Sequence, residues 1–249
     1  MKTLGLIGKK LGHSFSKGYF SEKFEKGVWH LNYQYLNFEL EHIEQVKSLF
    51  EMPELIGFNV TIPYKETIIP YLDRLSPSAA SIGAVNTVKK EKDGKWCGYN
   101  TDVIGFEKGL DATLAKIGSF PIANALILGT GGAAKAIAWV LAKRGINYFY
   151  VSRKEQENSL TYNMLNAQFL AHIQLIINTT PLGMYPEVDS FPPLPYSDLN
   201  QQHFLYDLVY NPAQTQFLSK GAAAGAYTLN GQLMLIEQAE AAWEIWQSH

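Results

Sequence analysis

ALILGTGGAAKAIAWVLAKRG, residues 125–145, is the stretch on which the fold turns. Ala125 to Leu128 is an apolar run of buried-strand length. Gly129, Gly131 and Gly132 then make a turn, and a segment of alternating apolar and small residues follows, with Lys135, Lys143 and Arg144 on it. Strand, glycine turn and helix form the first half of a dinucleotide-binding βαβ unit. Gly129 allows the tight turn, Gly131 lets the backbone approach a pyrophosphate, and Ala134 occupies the last G-x-G-x-x-G/A place, small enough for helix–strand packing. The N–H groups and dipole of the helix N-terminus then face the phosphates. A glycine-rich βα turn that binds nothing has the same local pattern, so the rest of the chain must arbitrate.

The chain has 249 residues, enough for two domains or one large one, and 47% of them are apolar, ample for a core. A net charge of −2 gives no long-range attraction to nucleic acid or to an anionic membrane. The single cysteine, Cys97, excludes an internal disulfide and suits a reducing cytoplasm. MKTLGLIGKKLG is too short in its apolar run for a signal peptide, and glycine, proline, asparagine or histidine interrupts every uncharged stretch. A soluble, cytoplasmic protein is expected.

Ahead of the glycine turn, Thr3–Gly8, Asn32–Phe38 and Gly57–Thr61 read as strands. Ser16 is expected to cap a helix running through Phe24, Glu41 to Phe50 shows helical spacing, and Pro63 suits the first turn of a helix reaching about Leu72. Val85–Lys90 and Lys95–Tyr99 flank Asp93-Gly94, a hairpin signal. Val103–Ile117 is expected to be a helix crossing between domains. Beyond the glycine turn, Tyr148–Val151, Gln174–Asn178, Phe204–Leu208 and Ala226–Leu229 read as strands. Gln214–Ala224 and Gly231–Gln247 read as helices, and Pro181–Pro195 as a proline-rich loop. The fold class is α/β, with a mostly parallel N-terminal sheet domain and a Rossmann-like domain.

Three places hold candidate chemistry. In Asn59–Lys65, NVTIPYK, a helix beginning near Pro63 puts Lys65 in its first turn, where the dipole disfavours the cation and a proton can exchange near neutral pH; a solvated surface lysine is the alternative. Asp102, in GYNTDVIG, reads alone as a helix N-cap, and with Lys65 on one cleft wall as half of a proton-transfer pair. His13, Ser14 and Ser16 offer short polar groups for a carboxylate, or equally capping and turn roles. No nucleophile elbow accompanies the serines, and the six histidines lack zinc-ligand spacing, so no metal is expected. At the end of the second nucleotide strand, Val151-Ser152-Arg153-Lys154 stands where an acidic residue would select NAD. A serine and two cations suit a 2′-phosphate and favour NADP, unless they are merely exposed basic residues.

GxxxGHSFS, NVTIPYK, GAVNT, GYNTD, GTGGAAKA, VSRK, NTTPLGM, DLVYNP and GQLMLIEQA follow in the order seen in shikimate dehydrogenases, and the chain resembles that family from Gly8 to Gln238. The resemblance implies reversible NADPH-dependent reduction of 3-dehydroshikimate to shikimate, in chorismate and aromatic amino-acid biosynthesis. It implies a substrate domain of residues 1–101 plus 232–249, a dinucleotide-binding domain of residues 102–231, and an active cleft between them.

By the same resemblance Lys65 and Asp102 look like the catalytic pair. Ser14, Ser16, Thr61 and Tyr210 look like the carboxylate site, and Asn59, Asn86 and Gln238 like partners of ring hydroxyls. Gly129, Thr130, Gly131, Gly132 and Ala133 would hold the pyrophosphate, and Ser152 and Arg153 the 2′-phosphate. Thr179, Pro181, Leu182 and Met184 would pack along the nicotinamide half, with Gly231 and Met234 nearby. The chain departs from the pattern at Lys17, where a proline is usual, at Phe20-Ser21, where His-Asn is common, and at Ser-Arg-Lys in place of Asn-Arg-Thr. Shikimate or 3-dehydroshikimate is the expected partner, with no nucleic acid or membrane, in a monomer or homodimer. An NAD-using quinate/shikimate dehydrogenase and a non-catalytic nucleotide- or shikimate-binding sensor are the competing readings. The absence of an acidic residue near Arg153 weighs against the first, and the presence of both Lys65 and Asp102 against the second.

Overall fold

The computed structural model describes residues 1–12, 15–27, 32–118 and 120–248. His13 and Ser14 lie outside the described residues. Contacts divide the chain into two compact units, Met1–Thr101 with Ala239–His249, and Asp102–Gln238.

The first unit holds strands β1 (Lys2–Gly8), β2 (Tyr33–Glu39), β3 (Leu55–Val60), β4 (Arg74–Leu75), β5 (Thr87–Lys90) and β6 (Trp96–Tyr99), and helices α1 (Phe15–Lys26), α2 (Val46–Phe50) and α3 (Pro77–Ile82). Its sheet runs β2-β1-β3-β5-β6-β4. The pairs β1/β2, β1/β3 and β4/β6 are parallel; β3/β5 and the β5/β6 hairpin are antiparallel. Both faces are covered, which is why β1 reads as a continuous apolar run rather than an alternating one. Leu4 and Leu6 pack on one face with Phe20 and Phe24 of α1 and with Trp243 and Trp246. Ile7 packs on the other with Val46, Phe58, Ile68 and Val88. Trp246 donates its indole N–H to the Val88 carbonyl (3.0 Å) and lies against Gly57, where a Cβ would collide with the ring. The C-terminal tryptophan is thereby built into the first sheet.

The helix predicted from Pro63 does not form. Residues 61–72 make turns and one 3₁₀ turn, Ile69–Tyr71, and Ile62–Pro63 is cis. Pro70 is the reason: in a helix begun at Pro63 its ring would collide with the Glu66 carbonyl, and it has no N–H to give. Nor is Ser16 a cap, because α1 begins one residue earlier, at Phe15. The short α3 escapes a reading by hydrophobic period, although Ser76 accepts from Ala79 N–H (3.2 Å), Pro77 opens the helix and Gly83 closes it at φ 71°.

The second unit begins with helix α4 (Asp102–Ile117) and strand β7 (Asn124–Leu128). There follow α5 (Gly132–Lys143), β8 (Asn147–Ser152), β9 (Ser159–Thr161), α6 (Ala167–Leu170), β10 (Leu175–Asn178), β11 (Phe204–Asp207), α7 (Gln216–Ala223), β12 (Tyr227–Leu229) and α8 (Gln232–Gln247). Helix α8 runs through the second division of the chain. The sheet order is β12-β11-β10-β7-β8-β9, all parallel. Counted from β7, that is 3-2-1-4-5-6, the doubly wound order, with its switch point between β7 and β10. β7 is buried on both faces, from Ala125 to Leu128. β9 and α6 are too short to show a period in the sequence.

Candidate functional site

In the first unit the polar groups gather where β3 ends and β5 begins. Asn59, Asn86, Thr87, Asn100 and Thr101 are all 5% exposed or less, so each must find partners inside the protein. Tyr35 donates to Asn59 Oδ1 (2.7 Å), and Asn59 Nδ2 donates to the Asn86 carbonyl (3.2 Å) and to Thr87 Oγ1 (3.1 Å). Asn86 Oδ1 accepts from Thr101 N–H (2.7 Å), and Asn86 Nδ2 donates to Thr101 Oγ1 (3.0 Å). Both amide hydrogens of Asn59 are thus engaged within the protein. Ser16 hydrogen-bonds the same Tyr35 phenol, whose pKa burial pushes far above its ordinary value.

Lys65 follows this strand end, half-buried, with its carbonyl accepting from Val85 N–H (2.7 Å). No helix starts at Pro63, so the helix dipole expected beside this lysine is not there. Its place comes instead from the turn at Thr61–Tyr64, where Tyr64 N–H reaches the Thr61 carbonyl (2.9 Å), and from the Tyr64 phenol bound to the Leu40 carbonyl (2.5 Å).

In the second unit Asp102 is the first residue of α4 rather than its cap, and is buried at 6% exposure. Gly129 adopts φ +112°, a left-handed backbone that side chains rarely take, and a Cβ there would stand 2.7 Å from Thr179 Oγ1. Thr179 is pinned by its own N–H (3.0 Å) and hydroxyl (2.7 Å) to the Leu128 carbonyl. Gly131 precedes α5, and a Cβ on it would meet nothing within 4 Å, so its backbone is open to a large anion. Thr130 and Gly131 are exposed, Gly132 and Ala133 half-buried, and Ala134 fully buried against the sheet. This cradle fits a pyrophosphate.

Ser152 ends β8, buried, and its Oγ accepts from Lys154 N–H (3.3 Å). Arg153 is exposed; burial pushes the Tyr162 phenol up to about 12, and the Arg153 charge opposes that rise. Pro181 and Met184 are exposed and Leu182 half-buried. Gly231 sits so close to the Leu208 backbone that a Cβ would collide with the Leu208 carbonyl. Tyr210 is half-buried and Gln238, on α8, is buried.

Composition and spacing do not single out a buried network at the ends of β10 and β11. Asp207 Oδ1 accepts from Val209 N–H (3.0 Å) and Asn178 Nδ2 (2.9 Å), and Oδ2 from the Thr215 hydroxyl (2.6 Å). The only available signal was position: Asn178 and Asp207 are polar residues closing apolar strands. Burial pushes the Asp207 carboxyl up to about 6, against an ordinary 3.8. A raised folded-state pKa contributes stability below about pH 4 that is lost as pH rises through about 6. The stability of the wild type relative to D207N, measured by denaturant melts, is therefore expected to fall by roughly 2–3 kcal/mol between pH 4 and pH 8. A pH-independent difference would contradict it.

Among the described residues no three metal-ligating side chains lie close enough to hold an ion, and no helix is long and apolar enough to cross a membrane. The strand order, the open glycine turn and the basic end of β8 define a dinucleotide-binding α/β protein. Residues 6–88 match the model of the shikimate dehydrogenase substrate binding domain. The NADP(+)-dependent shikimate dehydrogenase of Methanococcus maripaludis strain C6 is 39% identical over 98% of this chain and 91% of its own length. A crystal structure of a shikimate dehydrogenase in complex with NADP+ superposes with a TM-score of 0.83 at 35% identity, covering 99% of this chain and 90% of the other. The Thermus thermophilus enzyme in complex with NADP(H) and shikimate gives 0.84 at 29% identity, covering 99% and 94%. The chain belongs to the shikimate dehydrogenase family.

Proposed function

We propose that this chain catalyses the reversible reduction of 3-dehydroshikimate to shikimate with NADPH, an oxidoreductase step at a CH–OH group in aromatic amino-acid biosynthesis. The observation that carries this is full-length identity of 39% to an NADP(+)-dependent relative. NVTIPYK and GYNTD add to it by supplying the lysine and the carboxylate that such a reaction needs.

NADPH, when bound, supplies the hydride. Gly129 to Ala133 would hold its pyrophosphate on the open turn before α5, and Ser152 with Arg153 its 2′-phosphate. Thr179, Pro181, Leu182, Met184 and Gly231 would line its nicotinamide half. Lys65 gives its proton to the C3 oxygen as negative charge develops there, and takes it back in the reverse direction. Asp102, the first residue of α4, orients Lys65 and a substrate hydroxyl. Ser14, Ser16, Thr61 and Tyr210 receive the substrate carboxylate. Asn86, Gln238 and the remaining lone pair of Asn59 Oδ1 receive ring hydroxyls. The protein acts in the cytoplasm, as a monomer or homodimer.

The test follows absorbance of the reduced nicotinamide while purified protein meets shikimate, with NADP and NAD in parallel. Fast reduction of NADP, with NAD much slower, is expected. Equal rates with the two cofactors would overturn the 2′-phosphate assignment, and silence with both in folded protein would overturn the activity.

A further inference from the structure

We infer that Asp207 is a positioning residue that fixes the backbone of the loop assigned to the nicotinamide half of the cofactor together with that of the segment leading to Tyr210. The inference rests on the assignment of Thr179, Pro181, Leu182 and Met184 proposed above, and all the geometry lies within the second unit.

Three donors from three segments converge on one buried carboxylate. Val209 N–H belongs to the chain leaving β11 toward Tyr210, Thr215 is the N-cap of α7, and Asn178 ends β10. Asn178 passes the constraint on. Its Oδ1 accepts from Thr180 N–H (3.1 Å) and from the Thr180 hydroxyl (2.6 Å), and its Nδ2 also reaches the Leu182 carbonyl (3.3 Å). The turn Thr179–Leu182 and the segment Leu208–Tyr210 are therefore tied to the same group. Both Asp207 and Asn178 are fully buried, so water does not substitute for a lost bond.

The cost of this arrangement argues for its use. Among the described residues no cation faces this carboxylate, which makes it expensive to bury, and three hydrogen bonds hold its ionised form. The Asp207 charge is felt by Tyr196, a phenol rather than a cation. An asparagine at 207 has the same shape but a single acceptor oxygen. Its amide would have to face Thr215, Val209 or Asn178, and one of these bonds to the loops would be lost or reversed.

The proposal separates the two ends of the cofactor. The phosphates of the adenosine end are assigned to the turn before α5 and to Ser152 and Arg153, and the hydrogen bonds of Asp207 go to none of these. The probe is 2′,5′-ADP, which carries only that end, compared by titration calorimetry with NADP+ on the wild-type protein and on D207N. We expect D207N to bind 2′,5′-ADP within about twofold of wild type, to bind NADP+ about tenfold more weakly, and to lose about 10- to 100-fold in kcat. Equal weakening of 2′,5′-ADP and NADP+ would reduce Asp207 to a structural role, and unchanged NADP+ affinity and kcat would remove it from the site; either overturns the inference. Should D207N fail to fold, N178A, which removes the Asn178 bonds to Asp207, Thr180 and Leu182 and leaves those of Val209 and Thr215 in place, is judged by the same two comparisons. Failure of the wild type itself to bind 2′,5′-ADP would instead strike at the cofactor assignment on which this rests.

Discussion

Replacing Lys65 by alanine is expected to lower kcat by about 10²- to 10⁴-fold while KM for shikimate stays within about threefold. The asymmetry follows from where the ammonium acts. In the ground state the C3 oxygen is neutral and gains little from a cation. In the transition state hydride arrives at C3, charge develops on the oxygen, and a positioned proton donor stabilises it. The lysine backbone is held independently of its side chain, by Val85 N–H on its carbonyl and by the Tyr64 anchor to Leu40. Truncation should therefore leave the turn in place, and a melt of K65A should match wild type. Steady-state kinetics in both directions checks the result. Retention of full turnover in a folded K65A protein would remove Lys65 from the mechanism. A rise in KM with kcat unchanged would make it a binding residue instead.

The second large effect concerns the cofactor. R153A is expected to reduce kcat/KM for NADPH by about 10- to 100-fold and to change kcat/KM for NADH by less than about threefold. A guanidinium matches a phosphate with paired hydrogen bonds, and only NADPH carries a phosphate at the 2′ position. Arg153 lies exposed just beyond β8, while Ser152 stays buried at the strand end. Removing the arginine side chain thus costs the fold little, and the loss should appear in the cofactor's KM. Initial rates with the two reduced cofactors at fixed 3-dehydroshikimate measure this. Equal losses with both would show that Arg153 acts on something the cofactors share.

How much of this was legible beforehand depends on the range of the interaction that decides it. The dinucleotide-binding half is local: a four-residue apolar run, a glycine that must take φ +112° and a helix start are written within 10 residues, Ala125 to Ala134. The Asp93-Gly94 hairpin, the parallel strands and the basic end of β8 are local in the same sense. The helix expected from Pro63 does not form because Pro70, seven residues on, outweighs a favourable first-turn proline.

The sequence by itself determined the α/β class, the place of the glycine turn and, through motif order, the family and the identity of nearly every candidate site residue. Tertiary structure alone decided what holds those residues. Tyr35 reaches Asn59 across 24 positions, Asp207 gathers Asn178 from 29 positions away, and Trp246 closes on Val88 from 158. Such bonds leave no periodic trace, because a buried polar group needs one partner of the right kind at about 3 Å and the chain can bring it from anywhere.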